Sequence, residues 1–312
     1  MRAVYSKLDA LLHSPDGTAT EYAVSMDEVP ESFYSMRKNL FSVLFLSIYH
    51  LLDIPKERRL LYGKLNQLFR VWVTSADNLL DDEDKVVVPI KIPGNAHTMS
   101  NVVSIMAADR VLSQVLREAE STHVINTEEA NLLLEESLQI LLPSAAQEAS
   151  EENGIEVRPE PDVVLSTIHR HKTGILFHIP LLGPESIEDA ICPEKLAAVR
   201  DGLMSFGIGC QLLDDVRDLG RDLHETRHNY ALSMLYHKAP DKYVMLNTQT
   251  HIDRLYRQLP EVVIPTARLG LKMMREGIGR LNTVGLGVQG KAVDTIATGM
   301  FKVLDLGDVS YV

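Results

Sequence analysis

Apolar side chains recur along this chain at intervals of three and four residues, the period that places them on one face of an α-helix. No pair of alternating segments joined by a short turn indicates a β-hairpin. The pattern predicts helices over about 32 to 53, 56 to 81, 98 to 119, 127 to 146, 161 to 179, 193 to 219, 228 to 237, 241 to 258, 263 to 281 and 290 to 304.

One segment, 86–94, is rich in β-branched residues and could be mistaken for a strand. Its two prolines, Pro89 and Pro93, cannot donate hydrogen bonds to a sheet, so we predict an extended loop there. Further loops are expected at 14–18, 149–161, 183–193 and 238–241. None of the loops is long or biased enough to be a domain linker, and no internal repeat is evident. The sequence therefore predicts a single all-α domain over residues 1–312.

Composition narrows the class of protein. The chain has 312 residues, of which 45% are hydrophobic, and carries a formal net charge of −12. An acidic chain lacks the basic surface that neutralises nucleic-acid phosphates, so a nucleic-acid partner is not expected. Any anionic substrate must be held by local cations or by metal ions.

Cysteine usage and hydropathy indicate the compartment. The two cysteines, Cys192 and Cys210, have no spacing typical of a zinc site or a disulfide framework. The N-terminal segment lacks the apolar core and cleavage site of a secretory signal. The most apolar stretch, 40–52, is shorter than the roughly 20 residues needed to cross a bilayer. We therefore expect a cytoplasmic protein without a transmembrane segment.

Two acidic clusters, 77–84 and 214–218, each follow an apolar helical run. Residues four apart share a helix face, so Asp77 lies beside Asp81 and Asp214 beside Asp218. At about 5 to 6 Å and an effective dielectric constant near 20, each pair repels itself by roughly 3 kcal/mol. A hard divalent cation such as Mg²⁺ is the natural partner of such oxygen ligands. An isolated acidic run is more commonly a solvated helix end, but here there are two, and the second follows a helix with little charge.

The order of three motifs resembles that of the trans-isoprenyl diphosphate synthase family, also called the polyprenyl synthetases, within the class I isoprenoid synthases. The segment 211–218, Gln-Leu-Leu-Asp-Asp-Val-Arg-Asp, matches every specified position of the family's Gln-x-x-Asp-Asp-x-x-Asp motif. The segment 77–81, Asp-Asn-Leu-Leu-Asp, is similar to Asp-Asp-x-x-Asp, with Asn78 in place of the second aspartate. Lys172 and Thr173 match the Lys-Thr pair between these two motifs.

Weaker similarities extend the resemblance over roughly residues 30 to 240. The segment 93–97 looks like the family's Pro-x-x-His, and the residues from Asp222 to Tyr230 are similar to its Asp-Leu-x-x-Gly-Lys segment. The resemblance implies an isoprenoid-synthase-like helical bundle around a central cavity, and a homodimer. It also implies a prenyl diphosphate substrate and Mg²⁺ as cofactor, with three ions on the diphosphate.

The resemblance also implies roles for individual residues. Asp77 and Asp81 would hold two Mg²⁺ ions, Asp214 with Asp218 a third, and Lys172 would contact the diphosphate. These groups would stabilise the diphosphate that leaves when an allylic carbon–oxygen bond breaks. The residues expected to bind substrate are Arg37, Lys38, Arg70, Trp72, His97, Lys172, Thr173, Gln211 and Arg227.

Departures from the family pattern concern the second substrate. The chain lacks the Gly-Lys-x-x-Arg segment and the Arg-Arg-Gly that hold isopentenyl diphosphate, and Arg70 stands where a histidine is usual. Arg37, Lys38 and Arg70 could rebuild that site. A prenyltransferase that condenses an allylic diphosphate with isopentenyl diphosphate is therefore the first hypothesis. A terpene synthase or other one-diphosphate lyase is the second, and a non-catalytic subunit is the third.

The only tryptophan, Trp72, precedes the first acidic cluster by five residues. In the resembling family a bulky ring at this position limits product length, which predicts a pocket for a chain of ten to fifteen carbons. The alternative is an ordinary core side chain, the commoner fate of a buried aromatic residue.

Overall fold

The computed structural model describes residues 1–16, 18–35, 37–248 and 254–309, without the side chains of Thr20, Arg37 and Asn95. These residues form an almost entirely helical structure. The helices are α1 (Arg2–Leu11), α2 (Leu40–Leu51), α3 (Lys56–Asp81), α4 (His97–Ser121), α5 (Thr127–Gln139), α6 (Leu142–Ala149), α7 (Pro161–Val163), α8 (Leu182–Ile187), α9 (Pro193–Arg217), α10 (Leu219–His224), α11 (Tyr230–Lys238), α12 (Pro240–Asn247), α13 (Pro260–Thr283) and α14 (Lys291–Val303).

Shorter elements connect these helices. Two π-helical segments, Val164–Ile168 and Arg170–Gly174, continue from α7 and pass into the 3₁₀ segment Ile175–Leu181. Strands β1 (Ser25–Met26) and β2 (Ile90–Lys91) form one antiparallel pair, in which Ser25 lies opposite Lys91. Other 3₁₀ turns lie at Thr20–Tyr22, Glu31–Tyr34, Arg37–Asn39, Pro93–Asn95 and Leu255–Gln258.

The chain forms two compact units, 1–137 with 182–190, and 138–181 with 191–312. In the first unit α3 packs against α4, and α1 packs against both. Leu61, Leu65 and Leu68 on α3 are buried at helical spacing, which explains why this face turns inward. Helix α3 ends where Asp82 adopts a left-handed conformation with φ of 51°. The first acidic cluster therefore lies at the C-terminal end of a long, well-anchored helix.

In the second unit α9 packs closely against α13. A Cβ atom on Gly209 would lie 2.7 Å from the carbonyl oxygen of Gly270, and one on Gly277 would lie 2.6 Å from that of Gly202. Only glycine permits the two backbones to approach this closely. Helix α9 begins at Pro193, a residue suited to the first helical turn, and ends at the second acidic cluster.

The predicted helix over 56–81 coincides with α3, whereas other boundaries differ. The predicted helix over 127–146 is two helices, α5 and α6, because Pro143 favours a helix start rather than a helix interior. Helix α8 lies in the segment predicted as a loop over 183–193, and α1 was missed because no capping side chain marks its start. The helix predicted over 241–258 ends at Asn247 as α12, and residues 249–253 lie outside the described part of the chain.

The predicted loop over 86–94 is largely confirmed, since only Ile90 and Lys91 pair with another strand. No helix among the described residues combines the length and the low charge that crossing a bilayer requires. The all-α fold class is therefore confirmed, while the single-domain organisation stays a prediction.

Candidate active site

The first acidic cluster brings three carboxylates together. Asp77 and Asp81 lie one helical turn apart at the end of α3, and Glu83 follows in the loop. One carboxylate oxygen from each of the three residues lies within 4.8 Å of the others. Asp77 is about half-exposed, with 46% of its side-chain surface accessible, so an ion from solution can reach it. The helical spacing predicted the approach of Asp77 and Asp81, but not the third carboxylate.

Asn78, the departure from the family motif, has a structural role. Its side chain is buried, and its amide nitrogen donates to the carbonyl oxygen of Lys85 at 3.1 Å and to the side-chain oxygen of Asn101 at 3.0 Å. Its side-chain oxygen accepts from the backbone N–H of Lys85 at 3.1 Å. An aspartate could make neither donation, because a carboxylate has no N–H groups. The asparagine therefore fastens the loop that follows the helix.

Lys85 lies over the first acidic cluster. Its Nζ is 3.0 Å from Oδ2 of Asp77, and it also contacts the carboxylate of Glu83. Partial burial works to lower the pKa of Lys85, but the charges of Asp77 and Glu83 outweigh it and raise that pKa above its ordinary value. The cluster of three carboxylates thus carries one ammonium group of the chain itself.

The sequence prediction missed Glu83. It lies in a run of four acidic residues of which only Asp81 was assigned a role, and the other three looked equally exposed. The left-handed conformation of Asp82 turns the chain towards the end of α3, where the N–H of Glu83 donates to the carbonyl oxygen of Asn78 at 3.1 Å. Asp82 itself is exposed, and Oδ1 of Asp84 lies 3.3 Å from Nε2 of His97. Nothing in the composition of the run distinguishes these four positions.

The residues expected to bind a second diphosphate have contacts of their own in the first unit. Arg70 is largely buried and donates to the side-chain oxygen of Asn39, and burial lowers the pKa of its guanidinium. Nζ of Lys38 lies 4.5 Å from the centre of the Phe33 ring. The side chain of Arg37 lies outside the described part of the structure. Their role in substrate binding stays a prediction.

Trp72 lies on α3 and is partly buried. Its indole N–H donates to the carbonyl oxygen of Ile105 at 2.9 Å, and its ring meets that of Phe69 edge to face at 5.9 Å. Both contacts fix the orientation of the ring. Its proposed effect on product length stays a prediction.

In the second unit, two arginines neutralise the outer carboxylates of the second acidic cluster. Arg217 lies 2.8 Å from Oδ1 of Asp214 and 2.6 Å from Oδ2 of Asp218. Arg221 adds a hydrogen bond to Asp218 at 2.9 Å. Asp214 keeps 33% of its side-chain surface exposed, whereas Asp218 keeps 11%.

Asp215 lies entirely inside the second unit. Nε2 of His169 is 3.0 Å from its Oδ2, Gln211 donates to its Oδ1 at 3.0 Å, and the N–H of Tyr230 donates to Oδ2 at 2.6 Å. Burial by itself works to raise the pKa of Asp215, but the positive charge of His169 and these hydrogen bonds together lower it. The sequence analysis matched Asp215 to the family motif but assigned it no role. In the structure the contacts described above are all with groups of the second unit.

The Lys-Thr pair lies on the second π-helical segment, next to α9. Lys172 is paired with Oε1 of the buried Glu151 at 2.8 Å and with Glu148 at 3.3 Å. Burial works to lower the pKa of Lys172, but these glutamates raise it well above its ordinary value. Thr173 donates to the side-chain oxygen of Gln211, which links the pair to the second motif. π-helical turns of this kind often occur at functional sites.

Two buried residues that the sequence did not indicate hold the loop after the second motif. Oε2 of Glu151 accepts from the N–H of His228 at 2.6 Å. Arg158 donates to the carbonyl oxygens of Arg227 at 2.6 Å and of Asp222 at 3.1 Å. These partners are separated by 64 to 77 positions along the chain, so no local pattern could have paired them. The network fixes the backbone on which Arg227 lies.

The carboxylates of the first acidic cluster fit a hard divalent cation. All three are oxygen ligands, they come from one helix end and its loop, and their approach is otherwise opposed by mutual repulsion. The cluster is therefore a set of residues that could hold a metal ion. That both acidic clusters act on the same substrate stays a prediction.

Comparison with known structures places the chain in a fold class. No family model and no curated protein matches the sequence, but many solved structures match the fold. The chain has the all-α fold of the isoprenyl diphosphate synthases, so the fold that the sequence motifs implied is confirmed.

Three of these structures show the extent of the likeness. The geranylgeranyl pyrophosphate synthetase of Pyrococcus horikoshii is 15% identical, with a TM-score of 0.62 over 97% of this chain and 95% of that one. A polyprenyl synthase of Caulobacter crescentus, solved with calcium and isoprenyl diphosphate, has a TM-score of 0.60 at 15% identity, over 98% and 93% of the chains. The heptaprenyl diphosphate synthase of Staphylococcus aureus has a TM-score of 0.58 at 13% identity, over 97% and 96%.

Proposed function

We propose that the protein is a Mg²⁺-dependent enzyme that ionises an allylic prenyl diphosphate and condenses it with isopentenyl diphosphate. The observation that carries this proposal is the set of three carboxylates, Asp77, Asp81 and Glu83, at the end of a helix in this fold. The bound calcium and isoprenyl diphosphate of the Caulobacter crescentus structure support a metal-held diphosphate on the same scaffold.

In the proposed reaction the allylic carbon–oxygen bond breaks, and its electron pair leaves with the diphosphate. Bound Mg²⁺ ions supply Lewis-acid stabilisation of that leaving group. Asp77, Asp81 and Glu83 would hold ions in the first unit, and Asp214 with Asp218 would hold a further ion in the second. Lys172 contributes a positive charge, and its pairing with Glu151 keeps the amine protonated.

The second half of the reaction joins two substrates. The double bond of isopentenyl diphosphate attacks the allylic cation, a new carbon–carbon bond forms, and one proton is lost. Arg37, Lys38 and Arg70 are the cations proposed for the second diphosphate, and Trp72 is proposed to limit the chain to ten to fifteen carbons. A homodimer in the cytoplasm is part of the same proposal.

A one-diphosphate lyase is the second candidate, and a specific observation favours it. The guanidinium of Arg70 is already bonded to Asn39, and the segment 85–88 carries no arginine. With fewer cations for a second diphosphate, the allylic cation would be cyclised or quenched by water instead of being extended.

Product analysis separates these candidates. We would supply allylic diphosphates of ten, fifteen and twenty carbons with Mg²⁺, each with and without isopentenyl diphosphate, and identify products by mass spectrometry. The proposal predicts diphosphate products extended by five-carbon units only when isopentenyl diphosphate is present. A hydrocarbon or alcohol from the allylic substrate alone would establish the lyase. An absence of product together with no binding of Mg²⁺ and pyrophosphate would favour a non-catalytic subunit.

A further inference from the structure

Lys85 places a positive charge among the three carboxylates of the first acidic cluster. Its amine is 3.0 Å from Oδ2 of Asp77 and also contacts Glu83, two of the three residues proposed to hold the metal. Lys85 therefore offsets part of the negative charge of the three carboxylates before any ion arrives. An ammonium and a divalent ion that use the same carboxylate oxygens repel each other.

The position of Lys85 is fixed by its backbone. Asn78 accepts from the N–H of Lys85 and donates to its carbonyl oxygen, both at 3.1 Å, and Asn78 is itself buried and bonded to Asn101. These bonds involve only main-chain atoms of Lys85. Any residue other than proline at position 85 can make them, so the side chain can change or move while the loop stays in place.

The lysine side chain, unlike its backbone, is free to leave the cluster. About 44% of its surface is exposed, and a four-carbon stem gives the amine several alternative rotamers in solvent. Asn78 thus keeps the amine within reach of the carboxylates, and the amine's ion pair with Asp77 is solvent-accessible, whereas Glu83 is less exposed. Such pairs are readily exchanged for a more highly charged competitor.

We propose that Lys85 is the built-in counter-ion of the first acidic cluster and that a divalent metal ion must displace its amine in order to bind. This inference rests on the proposed function, because it takes Asp77, Asp81 and Glu83 as metal ligands. It assigns Lys85 a role that is absent from the motif comparison, and it connects Asn78 with that role. The amine offsets part of the negative charge of the cluster before the metal binds, and it lowers the affinity of the cluster for the metal.

Metal binding without turnover tests the proposal. Free Mn²⁺, used as a spectroscopic substitute for Mg²⁺, would be titrated by electron paramagnetic resonance into the full-length protein, without substrate. Lys85→Met and Lys85→Gln should bind Mn²⁺ about three- to tenfold more tightly than the wild type, because one or two exposed ion pairs no longer compete. Lys85→Arg keeps a charge and should stay near wild type. Lys91→Met is the matched control, since Lys91 is an exposed lysine of the same unit.

The outcomes separate this inference from the proposed function. Equal Mn²⁺ affinity in the wild type and Lys85→Met would overturn the counter-ion role and leave the metal site in place. Weaker binding in Lys85→Met would also overturn it, since the amine would then assist the ion. No Mn²⁺ binding in any variant, both without and with added pyrophosphate and with circular dichroism showing intact helices, would overturn the metal-dependent function itself, and the counter-ion role with it.

Discussion

The two acidic clusters have similar sequences but different surroundings. In the first, three carboxylates lie at a helix end near solvent, and the exposed Lys85 contacts two of them. In the second, Asp215 is fully buried against His169, and two arginines hold Asp214 and Asp218. A buried carboxylate is stable only when its hydrogen-bond and ion-pair partners are present, whereas an exposed carboxylate can bind ions from solution. The first cluster is therefore suited to exchange ions, and part of the second is committed to holding the fold.

The largest expected effect is on the free energy of unfolding, where the buried and the exposed aspartate of the second cluster should differ. Asp215→Asn should lower the free energy of unfolding by about 3 to 5 kcal/mol, because the buried His169 and the N–H of Tyr230 lose the carboxylate that they contact. Asp214→Asn, at a part-exposed position of the same motif, should change it by less than about 1 kcal/mol. Urea unfolding followed by circular dichroism measures both. Equal effects would show that the two aspartates do not differ in this way.

A smaller stability effect is expected at the first cluster from Asn78→Asp, although this change restores the family's motif. The carboxylate cannot donate to Lys85 or to Asn101, and it adds a charge at a buried position. We expect a loss of about 1 to 3 kcal/mol in the same unfolding measurement. Asp82→Asn, at an exposed neighbouring position, serves as control. Unchanged stability in Asn78→Asp would contradict the structural role given to the asparagine.

The pH dependence of unfolding should distinguish the clusters further. The pKa of Asp215 is below its ordinary value of 3.8 in the folded protein, where His169 and hydrogen bonds overcome the effect of burial. Its stabilising contribution is therefore complete above pH 3.8 and is lost as the pH falls through the folded pKa. The stability difference between wild type and Asp215→Asn should shrink as the pH falls below 3.8. A stability difference that increases as the pH falls below 3.8 would contradict the predicted direction.

The smallest effect is expected at Lys85 in the absence of metal. Lys85→Met removes an exposed ion pair while its backbone bonds to Asn78 remain, so stability should change by at most about 1 kcal/mol. Thermal unfolding in EDTA measures this change, and Lys91→Met again provides the reference. A loss comparable with that of Asp215→Asn would mean that the first cluster is also structural.

Parts of this account could be predicted from the sequence. Regular apolar spacing indicated α3 with its bounds, and the four-residue interval placed Asp77 beside Asp81, because both follow directly from helix geometry. The motif spacing identified the fold class, because it reflects a shared scaffold.

Other parts depend on contacts that no local pattern records. The left-handed turn at Asp82, a residue that is not glycine, brings Glu83 and Lys85 to the cluster. The buried pairs of Glu151 with Lys172 and of Arg158 with Asp222 join segments 21 and 64 positions apart. Such pairs become visible only when the chain has folded.

The most direct test of the central claim is the Mg²⁺-dependent release of pyrophosphate from geranyl diphosphate in the presence of isopentenyl diphosphate. Asp81→Ala removes one of the three clustered carboxylates, and Asp82→Asn removes the charge of its exposed neighbour while allowing the left-handed conformation. The account predicts release by the wild type that EDTA abolishes, a fall of at least about 100-fold in Asp81→Ala, and a change within about twofold in Asp82→Asn. Full release by Asp81→Ala would contradict it.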